Sequence, residues 1–514
     1  MTDIVLCTLN ARWSHASLGL RYLLANLGAF EARACIEEFT LRTPVASMCE
    51  RLLAHQPTII GFGVYVWNVA QTTALIRTLR NLAPQVKIVL GGPEVSHETG
   101  QQEIVRLADH VITGAAEAAF TELVRQLLEG PRPLMKVIAG GEQDLERLTL
   151  PYALYSDQDL QQRHLYFEAS RGCPYKCSFC LSALDRSAFA FPLERVLEAL
   201  RELIRRGARR IRFVDRTFNL RISTSQAILN CLLEHNQAHP DDPVFAHFEL
   251  VPDHLPQALK DTISAFAPGA LQFEIGIQSW NPKVQKLVAR RQDNAQAEEN
   301  LRWLREHSHT HLHVDLIAGL PGESLASFAE GFDRLYALRP QEIQVGILKR
   351  LRGTPMTHLQ QEQGLQFEED PPYAVHQTRE MTADEVVRMT RFAQAWDRLA
   401  NSGRFAGTLQ AWLGPTGGAT SASATKDSTG SSADGSAFAR FMAFCDHLHA
   451  QGHAVHHTAL EALAGWLAQW LAGQPGWSAV RAQALLEEDY RTSGARGRLP
   501  FMNRGLSGAA PSAP

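Results

Sequence analysis

Glu168-Ala169-Ser170-Arg171-Gly172-Cys173-Pro174-Tyr175-Lys176-Cys177-Ser178-Phe179-Cys180 is the stretch around which the chain is organised. The strand-like run Leu165-Tyr166-Phe167-Glu168 leads into it, and its three cysteines stand four and then three residues apart. That spacing turns three thiolates inward around one loop. An iron–sulfur cubane is normally held by four thiolates, so three from one loop leave one iron for another ligand. A closed zinc site is the alternative, but it needs a fourth Cys or His nearby. No His occurs within about ten residues after Cys180.

Cys-x-x-x-Cys-x-x-Cys with an aromatic before the last cysteine resembles the signature of the radical S-adenosylmethionine (SAM) enzymes. The resemblance implies a 4Fe–4S cluster ligated by Cys173, Cys177 and Cys180, with SAM on the open iron and Phe179 beside the adenine. It also implies cleavage of SAM to methionine and a 5′-deoxyadenosyl radical, and an electron donor such as flavodoxin or ferredoxin.

The composition is that of an ordinary globular protein. The 514 residues are 45% hydrophobic and 20% charged, with a net charge of −4; the length allows about three domains. This balance carries no electrostatic footprint for nucleic acid. Five further cysteines (Cys7, Cys35, Cys49, Cys231 and Cys445) are scattered singly and read as reduced, buried thiols. A cytoplasmic, reducing location suits them and an oxygen-sensitive cluster. The N-terminus shows no basic segment before an apolar core, so no signal peptide is expected. Leu460 to Trp477 is broken by Glu461, Gln469, Gln474 and Pro475, which is too polar to span a membrane.

Residues 1–130 alternate strand and helix. Apolar runs begin at Ile4, Ala34, Thr58, Val86 and His110, and a helix is expected over Leu18–Leu27. Repeated strand–helix units ending in Gly-rich turns predict an α/β, doubly wound parallel sheet, with ligands beyond the carboxyl ends of the strands. Asn10-Ala11-Arg12-Trp13-Ser14-His15-Ala16-Ser17-Leu18-Gly19, Val64-Tyr65-Val66-Trp67-Asn68 and Gly91-Gly92-Pro93-Glu94 resemble a subgroup of the B12-dependent radical SAM enzymes that carries a C-terminal extension. The resemblance implies a cobalamin-binding, Rossmann-like domain, with Asn10, His15, Tyr65, Trp67, Asn68, Gly91, Gly92 and Glu117 toward cobalamin. Lacking a Cβ, Gly91 and Gly92 would let backbone approach the nucleotide tail. The Asp-x-His-x-x-Gly motif of many B12 proteins is absent after the first strand. Cobalamin is therefore expected without a protein imidazole on cobalt; His15 is the one candidate in the right loop, and a loop His bonded to backbone is the plain alternative.

Residues 131–164, punctuated by Pro131, Pro133 and Pro151, read as a connector around a domain junction. Over 165–360, strands are expected at Leu165–Glu168, Ile211–Val214, Phe245–Leu250, Leu271–Ile277, His313–Ala318 and Ile343–Leu348. The resemblance makes these a partial (βα)6 barrel, whose active site would lie at the strand carboxyl ends. Period-two alternation puts His311, His313, Asp315, Ile317 and Gly319 on one face, and Glu274, Gly276 and Gln278 on one face of the strand before. Ile317 to Glu323 matches the later half of the family's GxIxGxxxE adenine motif, with Asp315 in place of its first Gly. The resemblance assigns Ile317 and Gly319 to adenine and nucleoside, and Gln278 to ribose and methionine. Arg290 could pair with the methionine carboxylate, and Asp215 and Glu249 could receive the SAM ammonium or ribose hydroxyls. A structural polar network is the competing reading of these side chains. The His307, His309, His311, His313 series invites a metal, but a helix-end turn at Glu306–Thr310 would leave only His311 and His313 in strand geometry.

A helical extension is expected over 361–413, a flexible Gly/Ser/Thr/Ala linker over 414–437, helices again over 438–502, and a disordered tail over 503–514. The function implied is a radical SAM enzyme with cobalamin as second cofactor, acting on an undefined small-molecule substrate. The class suggests methyl transfer to an unactivated carbon. The alternatives are a radical rearrangement or oxidation without methyl transfer, and a non-catalytic iron–sulfur redox protein.

Overall fold

The computed structural model describes residues 3–141, 144–185, 187–414 and 435–502. Residues 415–434, within the expected linker, and the expected tail 503–514 lie outside the described residues. The chain forms two compact units. The first comprises Met1–Gly276, Gln285–His311 and Leu348–Val375, and the second Ile277–Val284, Leu312–Ile347 and His376–Pro514.

The first unit opens with strands β1 (Ile4–Asn10), β2 (Ala34–Thr40), β3 (Ile59–Gly63), β4 (Lys87–Gly91), β5 (His110–Thr113) and β6 (Val137–Ala139), all parallel in the order β2-β1-β3-β4-β5-β6. One strand feeds two cores, because alternate side chains point to opposite faces. Val5, Cys7 and Leu9 join Ile60, Phe62, Leu75 and Ile76 on one side. Ile4 and Leu6 join Leu20, Phe120 and Leu123 on the other. Burial on both faces explains why these strands read as continuous apolar runs. The chain order reverses between β1 and β3, and the crevice at their carboxyl ends is the natural ligand site. β6 corrects the reading of 131–164: besides connecting, this segment adds an edge strand, pairing Val111 with Val137 through Thr113 with Ala139. It also carries the short helix Asp157–Gln162, capped by Ser156 in a capping box with Asp159.

A second parallel set follows in the same unit: β7 (Leu165–Phe167), then, after an antiparallel hairpin of β8 (Ser170–Gly172) and β9 (Ala188–Ala190), β10 (Arg210–Phe213), β11 (Phe245–Leu250) and β12 (Leu271–Gln278), whose last two residues are counted with the second unit. The hairpin, which brackets the cysteine loop, was not anticipated. Phe167, Phe213, Phe248 and Phe273 follow one another with centroids 5.1, 4.5 and 6.2 Å apart, in tilted, stacked and edge-to-face contact in turn, forming an aromatic row on one face. The opposite face carries Tyr166, Arg212, His247 and Gln272, which lie in direct register.

In the second unit, β13 (His311–Ala318) pairs in parallel with β14 (Glu342–Ile347), flanking the helix Leu325–Ala337. Helices Ala383–Leu399, Ala406–Leu413, Ala437–Ala450, Leu460–Ala472 and Ala479–Thr492 complete it. Phe332, Phe392, Trp396, Phe438 and Phe441 pack at its centre, mostly edge-to-face, 4.8–5.8 Å apart. His307 ends a helix and His311 opens β13. No described group of three or more His, Cys, Asp or Glu is arranged to hold a single metal ion.

Candidate cofactor site

β7 delivers the chain to the cysteine loop, where Cys173 and Cys177 are buried, Cys180 is half-buried, and all three are free thiols. The loop is pinned at both ends of one residue: Ser178 N–H donates to the Val288 carbonyl at 2.9 Å, and its carbonyl accepts from Met356 N–H at 3.0 Å. Upstream, the buried Asp215 carboxylate accepts from Ala169 N–H (2.9 Å) and Ser170 Oγ–H (2.5 Å). Burial raises the Asp215 carboxyl to about 6, against these two hydrogen bonds. Cys173 Sγ lies 3.7 Å from Thr217 Oγ1, and Cys177 Sγ 3.8 Å from Arg290 Nη1. Burial raises the Cys177 thiol, and the Arg290 guanidinium opposes it. The thiols do not gather around a point as a closed zinc site requires. A cubane gives each thiolate a separate iron and so asks for three spaced sulfurs.

The side chains expected around SAM are more engaged than the sequence suggested. Asp215 holds the strand-to-loop junction. Arg290 donates to the Gly276 carbonyl and, at 3.0 Å, to Gln292 Oε1. Glu249 is half-buried, 3.8 Å from Arg216. Phe179 is half-buried on the loop itself. In the second unit, Gln278 takes a left-handed φ of 67°, and its buried Oε1 lacks a hydrogen-bond partner. Ile317 is half-buried on the face of β13 that carries Asp315, and Gly319 turns the chain at φ 86°. Glu323, at the end of that turn, accepts from Ser279 Oγ–H at 2.6 Å, and burial pushes its carboxyl up to about 7.

At the carboxyl ends of β1 and β3 lies a cavity of about 540 Å³, walled by Asn10, His15, Tyr65, Trp67 and Glu117. Tyr65 and Trp67 stack at 4.4 Å and 7°. A neighbouring hollow of about 200 Å³ takes its floor from Gly91, Gly92 and Gly114. Asn68 does not join either wall. It is fully buried, with Nδ2 donating to the Leu9 and Gly63 carbonyls (3.1 Å each) and Oδ1 accepting from Tyr65 N–H (2.8 Å). It shapes the loop that presents Tyr65 and Trp67. Gly92 is also demanded from within. A Cβ there would fall 2.4 Å from the Val64 carbonyl oxygen, and its φ is 108°, whereas at Gly91 a Cβ would make only ordinary contact. His15 Nδ1 hydrogen-bonds Tyr166 OH at 2.6 Å, and burial with Arg212, Arg12 and Arg163 lowers its pKa. The ring is therefore neutral near pH 7, with one nitrogen already engaged.

Arg171 is the residue the sequence reading passed over. Two positions before Cys173, it ion-pairs with Glu117 (2.7 Å) and Glu168 (2.8 Å), lies 4.6 Å over the Tyr22 ring, and lines both hollows. Burial opposes its charge, but the two carboxylates outweigh that and raise its pKa. The cysteine loop is thereby tied to the wall of the cavity by one guanidinium. Glu168 is a close neighbour of Arg171 in the sequence; Glu117 was expected toward cobalamin, and its pairing with Arg171, 54 residues on, was not legible.

Residues 6–124 match the model of the B12 binding domain, and residues 167–335 that of the radical SAM superfamily. The chain joins a B12-binding domain to a radical SAM domain. It is 24% identical over 326 residues to the cobalamin-dependent radical SAM methyltransferase TokK of Streptomyces tokunonensis, covering 58% of this chain and 47% of that protein. It is 26% identical over 393 residues to the 2-(S-pantetheinyl)-carbapenam-3-carboxylate methyltransferase of Streptantibioticus cattleyicolor, covering 67% and 57%. The chain thus spans about half the length of these curated relatives. Among solved structures, the cobalamin-dependent SAM radical enzyme OxsB with aqua-cobalamin matches at TM-score 0.62 and 14% identity, over 95% of this chain and 80% of that one. The methyltransferase TsrM of Kitasatospora setae, with cobalamin and a 4Fe–4S cluster bound, matches at 0.58 and 18%, over 72% and 82%. At these identities the likeness concerns the fold: a Rossmann-like N-terminal region, a radical SAM domain and C-terminal helices. No helix among the described residues is long and apolar enough to cross a membrane.

Proposed function

We propose that this protein is a cobalamin-dependent radical SAM enzyme that transfers a methyl group to an unactivated carbon of a small-molecule substrate. One observation carries the reading: within a single compact unit, Arg171 joins a three-cysteine loop to the wall of a strand-end cavity in the B12-binding domain. When bound, the cluster and SAM would supply the 5′-deoxyadenosyl radical, and cobalamin the methyl group. Cys173, Cys177 and Cys180 would hold the cluster, with Arg290 beside Cys177 as a positive charge against its sulfur. Phe179, Glu249, Gln278, Ile317 and Gly319 are assigned to SAM, Gln278 through its unpartnered oxygen. Asp215 and Asn68 act one step back, fixing the loops that carry the contacting residues. Asn10, His15, Tyr65 and Trp67 would face the corrinoid, with Gly91 giving its tail backbone access. His15 holds Tyr166 through Nδ1, and cobalamin is assigned without a protein imidazole on cobalt because the Asp-x-His-x-x-Gly motif is absent. A small electron donor such as flavodoxin or ferredoxin would reduce the cluster.

The test is anaerobic purification with hydroxocobalamin supplied, then incubation with dithionite and SAM. A corrinoid absorption spectrum, about four irons per chain and 5′-deoxyadenosine release are expected. A fully loaded cluster that releases no 5′-deoxyadenosine would refute the radical step. Radical formation from SAM with no methyl group in any product would favour rearrangement or oxidation.

A further inference from the structure

We infer that Tyr166, Arg212 and His247 form a subsite for an anionic group, a carboxylate or phosphate, of the small-molecule substrate. These side chains stand on β7, β10 and β11 in direct register, opposite the aromatic row. Tyr166 lines the large cavity, as does Val214, which follows Arg212 by two residues on the same face of the chain. The row therefore opens on the cavity.

Tyr166 OH already meets His15 Nδ1, but Arg212 and His247 are short of partners. Arg212 is half-buried, its Nε is fully buried without a hydrogen bond, and among the described residues no carboxylate lies within ion-pair distance of it. Arg21, Arg163, Arg171, Arg350 and Arg352 in the same unit each hold at least one. His247 is 4% exposed; its Nε2 lies 3.1 Å from Glu274, while its buried Nδ1 has no partner. His164 Nδ1, next to Tyr166 in the chain, is also buried and unpartnered. Arg212 is close enough to His15 and His164 to oppose a charge on either, and the carboxylate that shares this face, Glu274, lies against His247. An unpaired guanidinium in partial burial is costly unless an anion completes it, and its planar fork suits a carboxylate or phosphate.

The inference rests on the radical reading for the word substrate, but its test needs no turnover. Thermal unfolding of the full chain is followed while acetate or inorganic phosphate is titrated at constant ionic strength. The expected result is a saturable rise of about 3 °C or more in the wild type, a smaller rise in Arg212→Lys, and none in Arg212→Gln. Without added anion, Arg212→Gln should melt at or above the wild-type temperature, because it removes a charge that has no partner. The rise should persist after loading with hydroxocobalamin. Its loss on loading would assign the site to the corrinoid's own phosphate and overturn the proposal. So would a non-saturable response, an equal rise in Arg212→Gln, or an Arg212→Gln protein that melts well below the wild type without anion. A protein that cleaves SAM but ignores both anions defeats the subsite alone; one that binds them but never cleaves SAM defeats the radical reading alone.

Discussion

The two parallel sheets of the first unit place their polar side chains differently. In β1 six of seven positions are buried, whereas β12 alternates buried and half-buried along all eight. The first sheet has apolar cores on both faces, so its polar groups sit in loops: Asn68 and Gln102 are buried but bonded to neighbouring backbone. The second sheet has an aromatic row on one face and Tyr166, Arg212, His247 and Glu274 on the other, with Arg212 Nε and His247 Nδ1 unpartnered. A sheet covered on both faces can use only its edges and strand ends for ligands, while a sheet that keeps one polar face can use that whole face. The first is therefore a platform and the second a container, and mutations in the two should fail in different ways.

The largest effect is expected from replacing Cys173, Cys177 and Cys180 together by Ala. Iron and 5′-deoxyadenosine should fall to background while far-UV circular dichroism and corrinoid uptake persist; loss of corrinoid uptake as well would break the division of labour. Arg171→Gln tests the link between the regions. It strands the carboxylates of Glu117 and Glu168, both largely buried, and should cost about 3 kcal/mol in urea unfolding. Corrinoid affinity and cluster retention should fall together.

The Asp215 carboxyl, raised to about 6 by burial, gives a pH signature to the container. Its folded form holds a proton more tightly than the unfolded chain. Its contribution is therefore complete below the unfolded value near 4 and is lost as pH rises through about 6, a change of about 3 kcal/mol. Asp215→Asn should flatten that part of the stability–pH curve; an unchanged slope would place the titration elsewhere. Asn68→Ala removes a buried amide from the platform and should cost about 2 kcal/mol. It should weaken corrinoid binding through Tyr65 and Trp67 while leaving SAM cleavage intact. Trp67→Ala, at a ring 49% exposed, should change stability by less than about 1 kcal/mol and show itself only in corrinoid affinity.

Much of this layout was legible in the residues. The apolar runs located five strands of the first sheet, and period-two alternation placed Glu274, Gly276 and Gln278 on one half-buried face. β6 escaped because it is three residues long among prolines and glycines, and it is a strand only through its pairing with β5. Asn68 and Gly92 were read outward, toward a ligand, because a polar or small residue at a strand end fits either use. The hydrogen bonds of the one and the close Val64 carbonyl of the other turn them inward. Arg212 and His247 fall inside expected strands but were not singled out, because nothing local marks a guanidinium as unpaired.

The sequence alone determined the three-cysteine loop and the alternation of strand and helix, since both follow from spacing along a chain of fixed geometry. Only the tertiary structure decided which charges meet. Glu117 and Arg171 are 54 residues apart, and the Tyr166–Arg212–His247 row exists through strand register. Burial and distance set the energy of a charge, and neither is a local property of the chain.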